Sequence, residues 1–104
     1  MNSNESPKFD IGQVIHHRLY GYRGVIIRVH ETFQGSEEWY SAVAASKPPR
    51  DRPWYHVLVH NVGQQTYVAQ RNLEPDSTGE PVSHPELSRH FDLFDGGRYD
   101  RYLN

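Results

Sequence analysis

The run Trp54-Tyr55-His56-Val57-Leu58-Val59-His60 decides how this chain folds. Tyr55, Val57 and Val59 fall on one side of it and His56, Leu58 and His60 on the other, and a period of two marks an extended strand with a packed face. Turn-forming residues bound the run. A Pro-rich loop at 47–53 leads in, and Asn61-Val62-Gly63-Gln64 leads out into a second extended stretch at 65–70. The two make a hairpin, and Asn72-Leu73-Glu74 adds a last short strand or 3₁₀ turn.

Working back towards the N-terminus, residues 12–18 read as a first strand and 24–31 as a second, with Val25, Ile27 and Val29 on one face and Ile26, Arg28 and His30 on the other. Leu19-Tyr20-Gly21-Tyr22 joins them tightly, since Gly21 can take a positive φ at no steric cost. Residues 37–46 form a short helix with Ser36 as N-cap, with Glu37 and Glu38 favourable in its first turn and with Trp39, Ala42 and Val43 at helical spacing. Pro48-Pro49 ends it. Strand, strand, helical insertion, hairpin and terminal strand predict a mainly β domain, a small SH3/Tudor-like antiparallel β-barrel that curls to close its edges. The alternation places Ile15, Val25, Ile27, Tyr55, Val57, Val59 and Val68 in its core. Gly21 and Gly24 are expected to resist substitution.

The barrel is expected to span 8–74, after a polar, disordered N-terminus at 1–7. Residues 75–104 form a C-terminal extension. In it, 85–94 offer a short helix with Leu87, Phe91 and Phe94 on one face, expected to dock on the barrel, followed by a turn at 95–97 and the aromatic tail Tyr99, Tyr102 and Leu103.

With 104 residues, 36% of them hydrophobic, the chain has room for one small domain whose core depends on seven Tyr, four Phe and two Trp. The absence of Cys excludes disulfides, thiolate zinc sites and a cysteine nucleophile, and suits a reducing, cytoplasmic setting. Met1 to Pro7 lacks the basic start and apolar run of a signal peptide, and Arg28 interrupts Val25-Ile26-Ile27 far short of a membrane span, so neither export nor membrane association is expected. Net charge is −2, yet from Lys8 to Glu74 eight basic residues face six acidic ones, and five of the seven His lie there. This segment is mildly basic and becomes more so as its His protonate.

No P-loop, nucleophile elbow, zincin helix or dinucleotide fingerprint is present, so no catalytic residue and no cofactor is nominated. His16 and His17 point to opposite faces of a strand. His56 and His60 share a face but lie about 13 Å apart, too far to share a metal ion, and no metal site is assigned. Tyr20, Tyr22, Trp54, Tyr55 and Tyr67 could build a cage for a methylated cation or stack on bases, although barrels of this size spend such residues on packing. The DNA-binding candidates are Arg18, Arg23 and Arg28 on the first two strands and their turn, joined by His30 and by the aromatic surface of Tyr20 and Tyr22. The plainer reading of those arginines is solvated charge.

Four separated blocks then occur in one order: Phe9-Asp10-Ile11-Gly12-Gln13, the run from His17 through Tyr20-Gly21-Tyr22-Arg23-Gly24 to Ile26, Pro53-Trp54-Tyr55-His56-Val57-Leu58-Val59, and Thr66-Tyr67-Val68-Ala69-Gln70-Arg71-Asn72-Leu73. Together they resemble the hemimethylated DNA-binding, YccV-like family, to which heat shock protein HspQ belongs. The insertion around Trp39 and the tail from His84 to Tyr99 are similar to a longer version of the domain found within some F-box proteins. The resemblance implies an SH3-like barrel without catalytic residues, binding to hemimethylated DNA and, for HspQ-type members, a role in stress-linked, protease-dependent protein turnover. The expected function is thus a non-enzymatic DNA-binding regulator. The alternative is a protein-binding adaptor or specificity factor for an ATP-dependent protease, with that protease or its client proteins as partners. A homo-oligomer is compatible with either.

Overall fold

The computed structural model describes residues 5–44 and 46–101. Met1 to Asn4, the start of the expected disordered N-terminus, and Tyr102 and Leu103 of the aromatic tail lie outside them. Five strands, β1 (Val14–His17), β2 (Arg23–His30), β3 (Trp54–Val59), β4 (Gln65–Ala69) and β5 (Leu73–Pro75), form one antiparallel sheet in the order β4-β3-β2-β1-β5. The architecture is mainly β, as the alternation predicts. No ladder joins β4 to β5, which a 3₁₀ turn at Gln70–Asn72 connects, so the sheet curls without closing into a complete barrel. A second, two-stranded sheet pairs β6 (Leu93–Asp95) with β7 (Arg98–Asp100).

A bulge in β2 corrects the predicted alternation. The register to β3 runs Val25↔Leu58 and Ile26↔Val57, then skips Ile27 and resumes at Arg28↔His56. The extra residue rephases the strand. Ile26 and Val29 therefore face the inside of the curl, where Phe9, Ile15, Tyr55, Val57, Val68 and Leu73 are buried with Ile26. Val25 and Ile27 face outward. Val25 is nonetheless fully buried, because Val82, Phe91 and Tyr99 of the C-terminal segment cover it together with Val14 and Leu58, and Ile27, Leu87 and Phe94 pack at the margin. Val59 is also buried. Gly24 lies in this doubly covered region, where a Cβ would stand 2.6 Å from the Leu58 carbonyl oxygen, so only glycine fits. Gly21 has φ +77°.

The helices are shorter than expected. α1 spans Glu37–Val43, with the Trp39 N–H donating to Ser36 Oγ at 3.0 Å, and it buries Tyr40 while Val43 stays in solvent. Tyr40 and half-buried Trp39 pack with Phe33 and Trp54 over the other end of the outer face. The C-terminal helix, α2, is one turn at Leu87–His90. Phe94 therefore reaches the sheet from β6 and not from the helical face expected of it. Tyr99 anchors this region, accepting from the Val82 N–H (2.7 Å) and donating to the Val82 carbonyl (3.1 Å).

The N-terminal strap is held by a buried side chain. Gln70 Oε1 accepts from the Lys8 N–H at 2.8 Å and from the Tyr55 hydroxyl, and Gln70 Nε2 donates to Glu5 Oε1 at 3.1 Å and to the Ser6 carbonyl at 3.4 Å.

Candidate nucleic-acid interface and adjoining groove

The six sequence candidates are dispersed over four places. Arg23 is the one whose guanidinium is committed within the fold: its Nε donates to Asp76 Oδ1 at 2.9 Å and its Nη2 to the Glu80 carbonyl at 2.5 Å. Burial pushes the Asp76 carboxyl up, but hydrogen bonds from Arg23 and Thr78 outweigh it and hold the group below its ordinary value. This pair fastens β2 to the start of the C-terminal segment.

Arg18, at the end of β1, opens onto a concavity of about 310 Å³ that it lines with Lys8, Arg52 and Arg71. Glu5 is the one acidic residue among the lining. The Arg18 N–H donates to the Asn72 carbonyl at 2.8 Å, which brings the end of β1 beside the 3₁₀ turn carrying Arg71. Arg71 donates to the Ser46 carbonyl at 2.7 Å. Arg52 sits between Glu5 (3.5 Å) and Asp51 (3.7 Å), and its buried Nε makes no hydrogen bond among the described residues. Four cations from four segments converge on a shallow hollow, an arrangement that suits a string of phosphates.

Arg28 and His30 lie elsewhere, on the outer face. His30 Nδ1 is 2.8 Å from the Tyr67 hydroxyl, and His56 stacks on Tyr67 with ring centroids 4.5 Å apart. Burial, then the neighbouring His30 and Arg28, keep His56 below its ordinary pKa, and burial raises that of Tyr67. Arg28, His56 and Gln65 border a second hollow with Arg89 and His90 of α2. Among the described residues no three His, Asp or Glu side chains converge as metal ligands.

Tyr20 and Tyr22 belong to the fourth place, a groove of about 450 Å³ along the outer side of β4. His17 builds its near wall. This His is buried, its Nδ1 accepts from the N–H groups of Leu19 and Tyr20 at 3.1 Å each, and its ring stacks on Tyr20 at 4.7 Å. An Nδ1 that accepts two hydrogen bonds must carry its lone pair, so the ring is neutral with its proton on Nε2. Burial first, and His16 second, lower its pKa accordingly. Tyr22 donates to or accepts from Thr66 Oγ1 at 2.8 Å. The far wall is Trp39 and Val43 of α1. Of the aromatics considered for a cage, Trp54 and Tyr55 are buried in packing.

Sequence reading found Arg18 but missed its companions Lys8, Arg52 and Arg71. The signal was available only in part: Arg52 and Arg71 each sit beside a turn, but nothing in a linear sequence says that two turns, the end of β1 and the N-terminal strap meet.

The family described as hemimethylated DNA-binding protein YccV like matches residues 7–98. The chain is also 36% identical over 93 residues to F-box only protein 21 of Mus musculus and 34% identical to that of Homo sapiens, covering 88% of this chain and 15% of each relative. It thus spans about a seventh of the length of these relatives. The four ordered blocks, the curled five-stranded sheet and a match over nearly the whole chain agree: the chain belongs to the YccV-like hemimethylated DNA-binding family.

Proposed function

We propose that this domain is a non-enzymatic regulatory module that binds hemimethylated duplex DNA, gripping the phosphate backbone with Lys8, Arg18, Arg52 and Arg71. The observation that carries the reading is the convergence of these four cations on one concavity in a chain whose net charge is −2. In a family associated with DNA, local concentration of positive charge matters more than the total, because phosphates are met at the contact surface and more distant charge is screened. Arg28, next to His30 on the outer face, supplies a separate positive surface, and Tyr20 and Tyr22 line the groove beside β4. Arg23 is left out of the proposed contact, since hydrogen bonds hold its guanidinium to Asp76 and to the Glu80 carbonyl, whereas Arg52 meets Glu5 and Asp51 only at 3.5 Å and 3.7 Å.

The test is fluorescence anisotropy with a labelled hemimethylated duplex across a salt series. Four neutralised phosphates give a slope of log affinity against log salt near −3.6, about −0.9 for each phosphate. Arg18→Glu with Arg71→Glu should weaken binding at least tenfold and flatten the slope while the folded signal is kept. Unchanged affinity in a folded double variant removes the concavity from the interface.

A second reading, a protein-binding adaptor of the kind that serves an ATP-dependent protease, is favoured by one feature. Leu19, Tyr20 and Val43 are more than half exposed and all line the groove beside β4. Three large apolar groups in water along one uncharged groove suit an apolar partner better than a phosphate backbone.

A further inference from the structure

The two edges of the five-stranded sheet are finished differently. β5 has three residues, ends in Pro75 and carries Glu74 in contact with His16 at 2.8 Å, all features that discourage a further strand. β4 has five residues, none of them Pro, Lys or Arg. Its hydrogen-bonding parity follows from the two ends of its ladder, where the Val59 N–H donates to the Gln64 carbonyl at 2.9 Å and the Gln70 N–H to the Pro53 carbonyl at 3.0 Å. Residues 64, 66, 68 and 70 are therefore bonded to β3, and the main-chain groups of Gln65, Tyr67 and Ala69 point away from it. Among the described residues no main-chain hydrogen bond reaches Gln65 or Tyr67, whereas the Ala69 carbonyl, as N-cap of the 3₁₀ turn, is taken by that turn. They look into the groove whose walls hold exposed Leu19 and Tyr20 on one side and Val43 on the other.

We propose that this edge takes an extended, acid-bearing peptide segment of a partner protein as an added strand. Unpaired main-chain groups at every second residue repeat at about 7 Å, the spacing of a β ladder, and call for a partner backbone rather than for bases. The apolar walls take alternate side chains of that strand. Charge favours an acidic flank: among the described residues no Asp or Glu lines the groove, and Arg18 and Arg71 adjoin Leu19 and Asn72 at one end of it. Acidic residues next to an apolar segment complete the fit. The inference goes beyond DNA binding and does not depend on it.

The probe is a phage-displayed library of random ten-residue peptides panned on the full chain, followed by synthesis of the enriched sequence. Enriched peptides should alternate apolar residues beside an acidic end, and N-methylation of alternate amides should weaken the synthetic peptide at least tenfold. Gln65→Pro removes one outward N–H at an exposed position and leaves the β3 ladder intact, so it should weaken binding by a similar factor. Val43→Glu should abolish peptide binding and leave duplex DNA binding as it was, so the two functions fail separately. Absence of enrichment, or a peptide indifferent both to N-methylation and to Gln65→Pro, overturns the proposal. So does displacement of the peptide by single-stranded DNA that Val43→Glu also weakens, which would make the groove a nucleic-acid site. A dimer in sedimentation that Gln65→Pro dissociates overturns it too, by assigning the edge to a second copy.

Discussion

The inner and outer faces of the curled sheet are buried to a similar degree by different means. Inside, most of the packing comes from the strands: Ile15, Ile26, Tyr55, Val57 and Val68 meet across the curl, with Phe9 and Leu73 closing its ends. Outside, the sheet is covered by imported segments. The C-terminal segment brings Val82, Phe91 and Tyr99 over one end, the insertion brings Tyr40 over the other, and the strip between them, with Arg28 exposed and His30 and His56 half-buried, stays open. The inner face is what makes the sheet; the outer face is what the additions make of it. A change inside should therefore unfold the molecule as a whole, whereas a change outside should first release a segment.

Tyr55→Ala should produce the largest effect. It empties a fully buried ring site and removes the hydroxyl that bonds Gln70, so a loss of about 3–5 kcal/mol is expected in urea unfolding, with all probes reporting together. Phe91→Ala should cost less, near the lower end of the about 3–5 kcal/mol typical of a buried Phe→Ala, since part of the outer cover can lift away while the inner face holds. Amide exchange separates the cases: protection should fall across residues 80–101 and persist in β2 and β3. Simultaneous loss of protection everywhere would erase the distinction between the faces.

Acid should produce the smallest effect and can sharpen the comparison, since a neutral His lies on each side. His17 on the groove wall and His56 on the outer face are both held below the ordinary value of 6.5, burial being the first cause in each. The unfolded chain then binds protons before the folded one. Their contribution is complete above about pH 6.5 and is lost as the pH falls from there through the folded-state values. The melting temperature should be level between pH 7 and 8 and decline below 6.5. His56→Gln should flatten part of that decline, and a profile identical to the parent's would assign the whole slope to other groups.

Much of the inner face was legible because alternation reports burial wherever one face is packed. Tyr55, Val57, Val68 and Ile15 are where the period of two puts them. Val25-Ile26-Ile27 was misread because the run is apolar at both parities, and a bulge in such a stretch leaves no mark in the sequence. The outer cover was half legible: Phe91 and Phe94 were visible as apolar groups in need of a surface, but Gly96 and Gly97 turn the chain into a hairpin and place Phe94 on a strand. The basic concavity was the least legible. Its cations lie at positions 8, 18, 52 and 71, and only the pairing of β1 with β5 and the path of the insertion bring them together.

The insertion between β2 and β3 bears on how the chain finds its fold. The ladder of these two strands lies at the centre of the sheet, yet His30 must find Trp54 across more than twenty intervening residues and no tight turn guides it. Closing so long a loop is entropically slow. The Phe33 N–H donates to the Arg50 carbonyl at 2.9 Å, Glu37 pairs with Arg50, and the capped helix fills the space between. An excursion that clasps itself in this way shortens the effective search. Its neck, rather than its tip, then governs folding speed, so the tip can accept inserted sequence at little kinetic cost.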